Sequence, residues 1–357
     1  MDSGGQHSVS PPSLIPPSPV SPDPRSRVTP RLYLAPLQGF TDVTFRNTFA
    51  DYFKGFDLAV APFISTTHGH RIKNTHFKGL LPEQNRKLPV IPQIMSNSPE
   101  DFIILARRLF DLGYPTLNWN LGCPFPAVVK KCRGSGMLPY PDRIDDFLNR
   151  VLSAIPNRLS IKTRIGRFTA DEIYKLMPVF NRYPLQELII HPRTGEQRYD
   201  GTPDLLTFGE CLSRSRHPVV FNGDINSVEI HRVLSAKFPT VQRWMIGRGA
   251  IADPFLPAAL KNGHAPVSEK PRTFKKFHDA LFDEYQRIFS GPSHVVERMK
   301  GFWGYFSRSF ADSRKFVKKV HKCRKPEPYQ DLVNRWFETE AQWAPDPQNW
   351  VSPYLRK

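Results

Sequence analysis

Between Arg31 and about Asn262 the chain repeats one pattern, a short apolar run followed by a longer stretch whose apolar residues have helical spacing. The runs are Leu32–Pro36, Leu58–Pro62, Val90–Ile94, Leu117–Asn120, Leu159–Thr163, Glu187–His191, Val219–Asn222 and Trp244–Gly247, eight in roughly 230 residues. Among the intervening stretches, Pro99–Leu112 places Phe102, Leu105, Ala106, Leu109 and Phe110 at helical intervals behind Ser98 as N-cap. Asp171–Phe180 and Ser227–Phe238 read the same way. Eight such alternations at this length predict an α/β chain with a (β/α)8 TIM barrel over residues 31–262. An open doubly wound sheet is the alternative. Its Gly-rich turn after the first strand is not found, since that position reads Pro36-Leu37-Gln38-Gly39-Phe40.

Two flanking segments differ in texture. Residues 1–30 hold eight prolines and almost no aromatics. Such a segment cannot bury enough apolar surface to offset its ordering entropy, so a disordered tail is expected. Beyond 263 the alternation stops and helical spacing continues over Thr273–Phe289, Val295–Phe310, Phe316–Lys322 and Tyr329–Ala341. These predict a small C-terminal α-helical domain, residues 263–357.

In a barrel, functional groups gather at the C-terminal strand ends. Here those ends carry Gln93, Asn120, Lys162, His191 and Asn222. Each could be a satisfied core polar; five at successive ends describe one polar mouth. The turns Asn222-Gly223-Asp224 and Gly247-Arg248-Gly249 occupy positions that often cradle phosphate, and Arg248 adds a charge. Cys123, in Asn120-Leu121-Gly122-Cys123-Pro124, is a candidate nucleophile or proton donor, against the alternative of a small buried apolar residue. Lys130, Lys131, Arg133 and Gly134-Ser135-Gly136 then predict a basic, mobile loop able to close over substrate.

The net charge of +17 points to a polyanion. By segment, the 1–30 tail is neutral, the barrel region carries +10 and the helical region +7. Residues 298–325 alone hold ten Lys and Arg against Asp312. Lys315, Lys318, Lys319 and Arg298 in this cluster are candidate RNA contacts. Its interleaved aromatics read as a core face. Four scattered cysteines without a CxxC pair argue against a disulfide scaffold or structural zinc, so no metal is expected and a reducing cytoplasm fits. No apolar run approaches the length of a transmembrane helix, and the start lacks a secretory pattern, so no membrane association is expected.

Taken in order, Ala35-Pro36-Leu37, Gly39-Phe40-Thr41-Asp42, Pro92-Gln93-Ile94, Asn118 to Pro124, Lys162-Thr163-Arg164, His191-Pro192-Arg193-Thr194, Asn222-Gly223-Asp224-Ile225 and Gly247-Arg248-Gly249 resemble the tRNA-dihydrouridine synthases. The tail, with Arg298-Met299-Lys300 before Phe302-Trp303-Gly304-Tyr305, is most similar to the bacterial C-type members. The resemblance implies an FMN-dependent barrel that reduces a uridine of tRNA to 5,6-dihydrouridine with NADPH as reductant. A monomer is expected. The C-type likeness implies position 16 of the D-loop. The family resemblance further implies that Cys123 is catalytic and gives its proton to uracil C5. Pro36, Leu37, Gln93, Lys162, His191, Asn222, Gly223, Asp224, Gly247 and Arg248 would then contact flavin, with Asn120 and Arg164 near the target base. The loop Gly134-Ser135-Gly136-Met137-Leu138-Pro139 departs from the family pattern. Two other functions fit parts of the sequence: another FMN barrel oxidoreductase acting on a small pyrimidine, which leaves the basic helices idle, and a non-catalytic tRNA-binding protein, which leaves Cys123 and the polar mouth idle.

Overall fold

The structure, a computed structural model, describes residues 1, 29–66, 74–263 and 267–344. The expected N-terminal tail lies almost wholly outside the described residues. Among them, ten strands form one parallel sheet: β1 (Arg31–Leu34), β2 (Leu58–Val60), β3 (Ile64–Ser65), β4 (Val90–Ile91), β5 (Gln93–Met95), β6 (Thr116–Leu121), β7 (Arg158–Gly166), β8 (Leu188–Thr194), β9 (Val219–Asn222) and β10 (Arg243–Ile246). β2 with β3, and β4 with β5, are halves of single staves. Pro92, which has no N–H to donate, separates β4 from β5, while its carbonyl still accepts from Asn118 at 2.9 Å. β1 pairs with both β10 and β2, β2 with β4, and β3 with β5, so the eight staves close into a barrel.

Residues alternate between the two faces of each strand. Leu32 and Leu34 point outward to helices, whereas Tyr33, Ala35, Val60, Ile189, Val220 and Met245 fill the barrel interior. The lower end is closed by Glu187, which accepts from the Tyr33 hydroxyl at 3.0 Å and pairs with Arg243 at 3.1 Å. The predicted helices form, with small shifts at their ends: Pro99–Asp111 starts at Ser98, whose hydroxyl accepts from Asp101 N–H, and Val228–Lys237 starts at Ser227 in the same way.

The C-terminal helices are Lys270–Ile288, Pro292–Phe306, Arg314–Lys322 and Pro326–Thr339. Their core is continuous with the outside of the barrel. Phe45 and Phe49 of the helix Val43–Tyr52, and Phe53 just beyond its end, join Phe277, Phe302 and Phe306 in one cluster, with Phe45 stacked on Phe302 at 5.5 Å. Among the described residues no helix is long and apolar enough to cross a membrane.

Candidate active site

The C-terminal mouth of the barrel opens into a cavity of about 580 Å³. Its wall includes Pro36 and Leu37 after β1, Asn120 and Cys123 at the end of β6, Lys162 and Arg164 on β7, His191 on β8, Asn222 to Asn226 after β9, and Gly247 to Gly249 after β10. The sequence-predicted residues therefore converge, with exceptions described below.

Cys123 is held through its backbone. The Asn120 side-chain oxygen accepts from the N–H groups of Gly122 and Cys123, each at 3.0 Å. The Asn120 amide donates to Gln93 at 2.7 Å, Gln93 donates to Asn118 at 2.7 Å, and Asn118 donates to Ser160 at 2.8 Å. Gln93 is thus not on the cavity wall. It is buried behind Asn120 as one link of an amide chain that fixes the Cys123 turn.

Burial pushes the Cys123 thiol up from its ordinary value. The N–H of Phe125 and the charges of Arg164 and Lys162 pull the other way without winning, so the sulfur carries its proton at neutral pH. Lys162 is lowered to about 7, chiefly by burial and then by Arg164. Arg164, 2% exposed, donates to the carbonyls of Gly122 at 2.9 Å and Thr194 at 2.7 Å. Its lowering to about 10, again chiefly by burial, leaves it charged.

The far end of the cavity is built by an ion network. Asp224 is paired with both Arg193 and Arg248. Arg193, 1% exposed, also donates to the Asp200 and Gly201 carbonyls and to His191. Burial holds His191 well below its ordinary value, and Arg164, Lys162, Arg193 and Arg248 add to this, so the ring is neutral. Gly249 lets the turns after β9 and β10 touch, because a Cβ there would lie 2.0 Å from the Ile225 carbonyl oxygen. Asn222 donates its amide to the Met245 carbonyl at 3.0 Å.

Several residues were missed by sequence reasoning. Tyr199 lines the cavity between two guanidinium groups, 4.4 Å from that of Arg248 and 5.5 Å from that of Arg164. Tyr305, from the helix Pro292–Phe306, also reaches the cavity and packs edge-on against Phe40 at 5.1 Å. Tyr305 was hinted at only as an aromatic within the Phe302-Trp303-Gly304-Tyr305 stretch, and Tyr199 by nothing. Arg193 sat inside the His191-Pro192-Arg193-Thr194 motif but was given no role.

Two expectations need correction. The loop expected to be mobile is packed: Gly134, Ser135, Gly136 and Met137 are buried in a 3-10 turn. Gly134 has φ +56, a left-handed conformation that suits glycine, and both the N–H and hydroxyl of Ser135 donate to the Cys123 carbonyl at 3.0 Å. The stretch is a support for Cys123, and Arg133 is anchored to Asn97 and to the Thr66 carbonyl. The basic cluster is also not one solvated stripe. Arg298 donates to the Gly39 carbonyl and lies against Tyr285 and Phe289, tying a C-terminal helix to the loop after β1. Lys300 is buried and paired with Glu297 at 2.6 Å. Lys315, Lys318 and Lys319 do form an exposed basic face, with Phe316 and Val320 of the same helix buried, but they do not line the cavity.

The fold is similar to that of distant solved proteins. Histamine dehydrogenase from Rhizobium sp. 4-9 superposes with a TM-score of 0.52 at 12% identity, covering 65% of this chain and 46% of that one. A morphinone reductase variant in complex with tetrahydroNAD gives 0.50 at 12% identity, covering 68% and 90%. These are likenesses of fold. The sequence is more specific: the dihydrouridine synthase family model matches residues 33–341, and the chain belongs to that family of enzymes. It is 26% identical over 231 residues to tRNA-dihydrouridine synthase B of Pasteurella multocida (63% of this chain, 67% of the relative). It is 25% identical over 328 residues to the enzyme of that name from Xanthomonas campestris pv. campestris (90% and 96%).

Proposed function

We propose that this chain reduces the C5=C6 bond of one D-loop uridine in tRNA, using FMN in the barrel mouth and NADPH as reductant, as a cytoplasmic monomer. The observation that carries the reading is the Cys123 thiol on the wall of a cavity that also gathers Arg248 and two glycine turns.

The residues present fit the cofactor. The cavity is in the size range of small-molecule sites. Gly223, Gly247, Arg248 and the backbone N–H of Asp224 would hold the phosphate, with the Asp224 carboxylate orienting Arg248, and Pro36, Leu37, Lys162, His191 and Asn222 the remainder. Gln93 would act through Asn120. When bound, FMN supplies the hydride for uracil C6. Cys123 gives its proton to C5 and regains one from solvent. Lys162, charged once an anion lies beside it, and Arg164 stabilise the negative charge that develops at uracil O4. The target base must leave its stack to enter the mouth. The exposed lysines of Arg314–Lys322 would hold the tRNA backbone, while Arg298 would act indirectly by docking its helix.

The relatives named above carry the B designation, so the C-type assignment and position 16 rest on the tail alone. The test is mass-spectrometric mapping of unmodified tRNA after incubation with FMN-loaded protein and NADPH. Dihydrouridine at a single D-loop position is expected, and its absence from every position overturns the reading. Cys123→Ala retains FMN and slows the reaction about a hundredfold or more.

A further inference from the structure

The mouth has two unlike rims. The C-terminal helices reach it through Tyr305, which packs on Phe40 of the loop after β1, and Trp343 after the last helix packs on Phe255 beyond β10. β6 and β7 are the fourth and fifth of eight staves, so the loops that follow them stand across the barrel. This far rim carries exposed aromatic rings: Phe125 is 66% exposed and Phe168 is 48% exposed.

Both rings stand on rigid mounts. Phe125 lies between Pro124 and Pro126, and its carbonyl accepts from Val128 and Val129 at 2.9 Å. Its N–H faces the Cys123 thiol, and its ring lines the cavity. Phe168 lies in a turn whose N–H groups, from Arg167, Phe168 and Thr169, all donate to Glu172 at 2.8–3.2 Å. The Arg167 guanidinium covers the Phe168 ring at 4.4 Å. Lys130 and Lys131, exposed one turn beyond Phe125, add positive charge. Core packing does not account for an exposed ring at the edge of the cavity and a second in the loop after the next stave. Aromatic faces and arginine planes beside positive charge are the chemistry that stacks unpaired bases and holds their phosphates.

We propose that Phe125 and the Arg167–Phe168 pair form a stacking platform for the unpaired bases adjoining the target uridine. It rests on the tRNA-reduction reading and adds a second RNA contact, opposite the basic helix. When the uridine leaves its stack its neighbours lose a partner, and the exposed rings replace it. Phe125 is thereby a positioning residue.

The experiment uses the FMN-loaded full chain and unmodified tRNA, with KM, kcat and equilibrium tRNA affinity measured for Phe125→Ala, Phe168→Ala, Phe125→Leu and Phe125→Trp. Phe125→Ala and Phe168→Ala are each expected to raise KM and Kd about tenfold, with a smaller change in kcat. Phe125→Trp restores affinity and Phe125→Leu does not, because the platform needs a π face. In Phe168→Ala, whose ring is not part of the cavity wall, FMN content and the rate of Cys123 alkylation stay at wild-type values. Unchanged KM and Kd in both alanine variants overturn the platform, as does full rescue by leucine. If Phe125→Ala fails to fold, Phe168→Ala still decides. Weakened tRNA binding in a protein that forms no dihydrouridine supports the platform and rejects the reaction instead.

Discussion

Arg193 donates to Nε2 of His191 across 3.2 Å, and this contact decides which ring nitrogen carries the proton. A guanidinium has no acceptor, so Nε2 must accept and Nδ1 holds the hydrogen. The same arginine is paired with Asp224, so one buried cation sets both a histidine tautomer at the end of β8 and the turn after β9.

Asp224→Asn tests that coupling. Asp224 sits at φ +43, which asparagine tolerates, so the turn keeps its shape while the shared charge is lost. Arg193 is then a buried cation without its carboxylate. A loss on the order of 3 kcal/mol is expected in chemical denaturation, the low end for a buried pair because Asp224 is 31% exposed. FMN retention falls with it. Wild-type stability would show that the carbonyls of Asp200 and Gly201 suffice.

Lys162 predicts a pH dependence in flavin-free protein. Its folded value, about 7, lies below the ordinary 10.5, so the unfolded chain binds an extra proton between those limits. Stability therefore rises with pH across that window, by about 2 kcal/mol from pH 7 to pH 9. Lys162→Met removes this increment. Parallel stability curves for the two proteins would refute the assignment.

Gln93→Leu strands the Asn118 oxygen and the Asn120 amide in the barrel core. A destabilisation of about 1–3 kcal/mol follows from leaving such groups unpaired. Cys123 should then alkylate faster as its turn loosens. No change in alkylation rate would mean that Ser135 alone holds the turn.

Replacing Lys315, Lys318 and Lys319 together by Gln should weaken tRNA binding at low salt. It should also flatten the slope of log affinity against log salt by about 2 to 3. An unchanged slope would place the RNA on another face.

The barrel was legible because its code is local: apolar runs spaced by amphipathic helices, with polar residues at the strand ends. Asn120, Lys162, His191 and Asn222 all reach the mouth for that reason. Contacts between distant segments carried no comparable signal. Tyr199 is recruited by two arginines from other staves, and Tyr305 by the docking of a C-terminal helix. Charge was misread where burial decides the outcome, since Lys300 meets Glu297 one residue before the counted cluster. The 134–137 stretch looked mobile because small residues permit motion, yet the same smallness lets them pack under Cys123.

The reach of Tyr305 into the cavity has a consequence for how the enzyme is made. Its ring stands some 270 positions after the first cavity residue, Ala35, in a helix whose core is shared with the barrel's own first helix. During synthesis the barrel staves emerge first, and the mouth stays open on that side until the last quarter of the chain has docked. A stalled or clipped chain would then hold most of the chemistry with one wall of its vessel missing, and competence would arrive only with completion.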